Sequence, residues 1–173
     1  MNYLRSLPEV LGRVLSPLVC LCIAMAAVAA DAQQAVKSEG GTELRLRLSA
    51  GSQVVVTLMQ ARTGAFYPYK DALIWGGDVG ELPPSLLVSV RIVSGGETIF
   101  IPLSAYGDLG DLKTAAIEKT EQGFRLSLHG GDAAGAYDAT LSFSQGFLVS
   151  RLVTLREFPD QRREMTSYSF PRR

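Results

Sequence analysis

Cysteine, histidine and tryptophan are nearly missing from this sequence, and each shortage closes off a chemistry. The 173 residues hold two cysteines, one histidine and one tryptophan. Both cysteines, Cys20 and Cys22, fall in an apolar stretch near the start, so everything from Gln33 onward has none. That portion has no disulfide to brace it and no thiolate nucleophile, and one histidine cannot build a typical tetrahedral zinc site. Neither charge is in excess, since 17 basic side chains balance 17 acidic ones. Sequence-independent nucleic-acid binding needs a basic surplus, so no nucleic-acid partner is expected. The phosphate-cradling patterns G-x-G-x-x-G and G-x-x-x-x-G-K do not occur, nor do the serine patterns G-x-S-x-G and S-x-x-K. No cofactor is implied. Beyond residue 30 no apolar run is long enough to span a bilayer as a helix.

The apolar stretch itself has a recognisable build. Arg5 and Arg13 precede an uncharged run from Val14 to Ala30, which ends in small residues. The run falls short of the roughly 20 residues of a spanning helix, as the core of a secretory signal peptide does. Ala30-Asp31-Ala32 before Gln33 offers an A-x-A cleavage site, and Val28-Ala29-Ala30 before Asp31 a second. Residues 1–32 are therefore read as a cleaved signal peptide, with an uncleaved anchor as the alternative. Residues 33–173 are read as a single β domain exported to the periplasm or secreted. The residues before Cys20 and Cys22 do not match an acyl-lipid attachment pattern.

Along the exported part the hydrophobic period is two. Leu44, Leu46 and Leu48 alternate with Arg45, Arg47 and Ser49, the pattern of a half-buried strand with its leucines inward. Ser52 to Met59, with Val54-Val55-Val56 at its centre, reads as the next strand. Leu86–Val93 and Thr98–Leu103 flank Ser94-Gly95-Gly96-Glu97, where diglycine supplies the positive φ angles of a tight hairpin. Ser104–Leu112 reads as a connection. Thr114–Thr120 pairs with Phe124–Leu128 across Glu121-Gln122-Gly123. Tyr137, Ala139, Leu141 and Phe143 form one face of a further strand, turned by Ser144-Gln145-Gly146 into Phe147–Arg156. Phe158-Pro159-Asp160 is expected to break the chain before a last strand, Glu164–Phe170, with Tyr168 in phase with Phe170. About nine short strands joined by turns predict an all-β fold, either an antiparallel meander-rich β-sandwich or an up-and-down barrel.

Functional candidates lie in the less regular segments. Between Ala61 and Pro84 the chain holds Phe66-Tyr67-Pro68-Tyr69, Trp75 and Gly76-Gly77. Trp75, Tyr67, Tyr69 and Tyr106 are the candidate ligand-binding aromatics; the alternative is a plug closing one end of the core. Ala72–Trp75 is the one short strand expected there. Leu73-Ile74-Trp75-Gly76-Gly77-Asp78 resembles Leu126-Ser127-Leu128-His129-Gly130-Gly131-Asp132, an echo too short to argue duplication. His129 falls on the solvated side of its strand and is read as a surface or turn-end residue.

Carboxylates are the remaining chemistry. Asp78, Asp108, Asp132 and Glu157 are candidates for acid/base catalysis, as in sugar hydrolysis, should their loops share one end of the sheet. Asp78, Asp108, Asp111 and Asp132 are candidates for calcium, which takes six to eight oxygens. Ordinary turn chemistry is the competing reading, because aspartate after Gly-Gly bonds nearby backbone N–H groups. Arg151, Arg156, Arg162, Arg163, Arg172 and Arg173 outnumber the acids around them and read as a solvated end, against a modest anion-facing patch. The function expected is a non-enzymatic binding module for a protein, an envelope component or a small ligand. The alternatives are a carboxylate-dependent enzyme such as a glycosidase, a calcium-binding β domain, and a structural part of the envelope.

Overall fold

A computed structural model describes residues 33–49, 52–64, 74–77 and 81–170. The expected signal peptide, Tyr67, Tyr69 and Asp78 lie outside these. The described strands form two antiparallel sheets. Strands β1 (Gln34–Ala35), β6 (Leu112–Lys119), β7 (Gly123–Gly130), β8 (Tyr137–Ser144), β9 (Phe147–Leu155) and β10 (Phe158–Ser167) make a six-stranded sheet in that order. The other sheet has four strands: β2 (Gly40–Ser49), β3 (Ser52–Arg62), β4 (Ser85–Ser94) and β5 (Glu97–Ile99). Strands β2–β5 and β6–β10 are meanders, β1 adds to the edge beside β6, and the architecture is a sandwich. No helix among the described residues is long and apolar enough to cross a membrane.

Period-two patterning builds the core as expected. Val54, Val56 and Leu58 of β3 are fully buried, and so are Leu126 and Leu128 of β7 and Tyr137 and Leu141 of β8. These side chains from both sheets belong to one hydrophobic cluster. Each fully buried aliphatic side chain contributes about 2 kcal/mol, and with no cysteine in this part of the chain such burial must hold the sheets together. Phe124 and Phe143 face each other across β7 and β8, their rings stacked at 4.4 Å. At the β4–β5 hairpin Gly95 and Gly96 have φ of 58° and 90°, the two positive values a two-residue primed turn requires.

Three departures from regular alternation matter later. In β4 the partners of Met59 and Gln60 are Ser89 and Leu87, so Val88 bulges out of the ladder. In β9 the partners of Ser142 and Phe143 are Ser150 and Leu148, so Val149 does the same. The third departure corrects the reading of Phe158-Pro159-Asp160 as a chain break. The turn is Arg156-Glu157, and β10 starts at Phe158 opposite Leu155. Residues 159–161 loop out between the pairs Phe158–Leu155 and Arg162–Thr154. Proline is tolerated there because β10 is an edge strand and the looped-out segment owes the ladder no N–H. Pro102 acts the other way. β5 stops at Ile99, short of the expected Leu103, and Pro102 opens a single 3₁₀ turn at Leu103–Ala105.

Candidate functional site

The meander brings three connections to one end of the six-stranded sheet: the chain between β5 and β6, that between β7 and β8, and the β9–β10 turn. Asp108 and Asp111, Asp132, and Glu157 sit on these three respectively. The segment around Trp75 docks on them. Trp75 N–H donates to the Asp108 carbonyl at 2.8 Å, and Gly110 N–H returns a bond to the Trp75 carbonyl at 2.9 Å. Leu87 N–H reaches the Leu109 carbonyl, and Gly131 N–H reaches the Asp111 carbonyl. The two Gly-Gly segments of the sequence echo meet here. A Cβ on Gly131 would stand 2.9 Å from Gly76 Cα, and one on Gly76 would stand 2.4 Å from the Gly110 carbonyl oxygen. Glycine is needed because backbone packs on backbone. Trp75 and Tyr106 pack against the core, with the Trp75 ring 6.3 Å from that of Tyr137.

Tyr137 anchors this end. Its hydroxyl donates to the Gly110 carbonyl at 2.9 Å. Burial first, then the carboxylates of Asp108 and Asp111, push the phenol well above its usual range, while Arg151 pulls weakly the other way.

Arg151 is the residue that sequence reading placed wrongly. It is not part of a solvated end but a core side chain, 2% exposed. One terminal nitrogen donates to both oxygens of Asp108, at 2.8 and 2.7 Å, and the other donates to Glu164. Unbroken alternation from the buried Leu148 would have turned Arg151 outward; the bulge at Val149 reverses the phase. Gln60 was missed for a different reason: it continues the inward phase of Val54, Val56 and Leu58 but lies one position past the strand as read. Its amide donates to the carbonyls of Lys37 and Leu112 and accepts from Leu112 N–H and the Ser85 hydroxyl. One buried side chain thus fills all four hydrogen-bonding positions and ties β3 and β4 to β6.

The candidate carboxylates are distributed as follows. Asp108 is bound by Arg151, and Asp111 by Lys113 at 2.7 Å. Asp132 precedes the 3₁₀ turn Ala133–Gly135 without a side-chain capping bond. Glu157 is exposed and borders a hollow of about 420 Å3 with Ala133, Ala134, Ala136 and Arg156. Among the described residues no three His, Cys, Asp or Glu side chains come together as a metal would require. Tyr168 is partly buried, and among the described residues its hydroxyl has no hydrogen-bond partner, unlike that of Tyr137.

The opposite end of the β8–β9 hairpin has a different character. Phe100, Leu103 and Phe147 are 68%, 66% and 51% exposed. Phe170 lies between two of them, stacked on Phe147 at 5.6 Å and edge-on to Phe100 at 6.4 Å. The expected strand Thr98–Leu103 ends at Ile99, so Phe100 and Leu103 lie in the connection that follows it.

Neither the family models nor the curated proteins nor the solved structures yield a match to this chain.

Proposed function

We propose that residues 33–173 work outside the cytoplasm, in the periplasm or the medium, as a non-enzymatic binding module whose partner is a protein. The observation that carries this reading is the aromatic patch of Phe100, Phe147 and Phe170 with Leu103 beside it in the same loop. Large apolar side chains held against one another in solvent mark an interaction surface, and an open patch suits a protein better than a small ligand, which needs enclosure. The state of the carboxylates points the same way. Asp108 and Asp111 are neutralised by Arg151 and Lys113, whereas an acid/base pair must keep a proton-exchanging oxygen available. The apolar run from Val14 to Ala30 supports export.

Two measurements test the reading. A photoreactive phenylalanine analogue at position 147 should crosslink a discrete partner in the cell envelope or medium, in a yield reduced by Phe100→Ser. The same analogue at Arg45, exposed on β2 at the opposite edge of the other sheet from β5, should not. Equal products from both positions, or none, remove the patch as the contact surface. The intact mass of the protein recovered from its compartment should correspond to a start at Asp31 or Gln33. A product still carrying Cys20 rules out cleavage and leaves the uncleaved anchor.

A further inference from the structure

A hollow of about 460 Å3 on the outer face of the six-stranded sheet is lined by Gln33, Lys113, Thr114, His129, Asp138 and Arg156. Strand register assembles it. Thr114 stands opposite His129, and His129 opposite Asp138, so adjacent positions of β6, β7 and β8 form one row. Lys113 drops out of the ladder between Leu112 and Thr114, and its side chain borders the same hollow. Arg156 enters from the β9–β10 turn.

The hydrogen-bonding inventory is lopsided. His129 Nδ1 is 2.6 Å from Asp138 Oδ1. An ionised carboxylate only accepts, so Nδ1 carries the hydrogen and Nε2 remains open for another contact. Arg156 Nε approaches the same oxygen at 3.5 Å, and among the described residues its two terminal nitrogens have no partner. Lys113 holds Asp111 and keeps further N–H donors, and both cations are half exposed. The Thr114 hydroxyl and Gln33 amide add donors, whereas Asp138 is the only carboxylate in the lining.

We propose that this hollow binds a phosphate group through Lys113, Arg156 and a His129 that is protonated on Nε2 when the anion is present. Three cationic donors from three separate segments match the three outward oxygens of a phosphate; a carboxylate would leave one unmatched. Asp138 positions the imidazole and balances its charge. The site lies at the other end of the β8–β9 hairpin from the aromatic patch and does not depend on it.

His129 is the only histidine in the chain, so its imidazole NMR signals in untagged protein identify themselves. Inorganic phosphate, titrated at constant ionic strength, should shift them saturably. Arg156→Gln should weaken the apparent affinity by about tenfold, and Lys113→Gln comparably, as expected for loss of a charge-assisted bond. Arg91→Gln on the other sheet should leave it unchanged. A parallel titration with phosphatidic acid vesicles separates the sources. Response to vesicles alone assigns the phosphate to a lipid headgroup, and response to free phosphate assigns it to a soluble ligand. A shift matched by chloride, no response to either probe, or an affinity indifferent to both substitutions overturns the proposal.

Discussion

Arg151 joins three segments distant in sequence: β9 carries it, the chain before β6 supplies Asp108, and β10 supplies Glu164. Removing the buried partner of such a set costs more than removing a surface pair, since the geometry exists only in the fold. Arg151→Ala should lower stability by about 3 kcal/mol in urea denaturation, and Arg151→Met by less, because methionine keeps the apolar stem packed. Equal losses would show that packing plays no part. Gln60 makes a sharper case. Gln60→Leu strands the Leu112 N–H and two carbonyls in the interior and should cost about 2–4 kcal/mol. Gln60→Glu should be worse at pH 7, as a carboxylate would then face the carbonyls of Lys37 and Leu112 that now accept from the amide. A glutamate variant more stable than the leucine one would refute this bonding scheme. For Tyr137 the consequence is a pH dependence. Its folded pKa is raised, so an unfolded chain releases the proton near the ordinary value of 10.0 while the folded chain retains it. The resulting stability is complete below that pH and is lost as pH rises beyond it. Tyr137→Phe should be less stable at neutral pH, and the gap should narrow above pH 10; parallel curves would contradict the assignment.

Among the elements, the strands obey their local pattern and the bulges redirect it. Leu44 and Val54 to Leu58 show alternation that any reader of the sequence can follow. Val88 and Val149 give no such notice, since an extra valine in a valine-rich strand looks like more strand. Each bulge makes a residue before it and a residue after it face the same side. That puts Leu87 on the same side as Val90 in β4 and turns Arg151 to the side of Leu148 in β9. The hairpin at Gly95-Gly96 lies at the legible extreme, and it can be improved. Gly95 has φ of 58° and a Cβ there would meet only Ser52 Oγ, at 3.9 Å. Gly95→Asn should therefore raise stability by about 0.5 kcal/mol, because Asn-Gly favours this turn and has fewer unfolded conformations to lose. A lower melting temperature would mean that the turn is not of the primed type.

For the whole molecule, the two sheets share one core that no covalent link supports. Both cysteines lie outside residues 33–173, so the melting temperature of that part should be unchanged by a reductant. A reductant-dependent melt would show that residues 1–32 remain attached and contribute. The end of the sandwich that carries Trp75, Tyr137 and the glycine contacts is closed by packing, and the end that carries Phe100, Phe147 and Phe170 exposes apolar rings. This asymmetry comes from topology: the segment leading into β6 and the loop between β7 and β8 fold onto the first end, whereas the β8–β9 turn at the second is two residues long.

Fold class, most strand positions and the inward identity of Tyr137 were carried by local sequence, because alternation and turn residues act over a few neighbours. The candidate loops were legible as connections, but that Asp108, Asp111, Asp132 and Glu157 come from one end of the sheet was decided by the meander. What Asp108 touches was not legible either, since Arg151 lies 43 positions away and reaches it through register rather than through proximity in sequence. The row of Thr114, His129 and Asp138 and the four bonds of Gln60 are likewise products of pairing and packing between strands. A sheet chooses such neighbours by where its bulges fall, and a bulge leaves the amino-acid pattern almost unchanged while it reverses which way the side chains face.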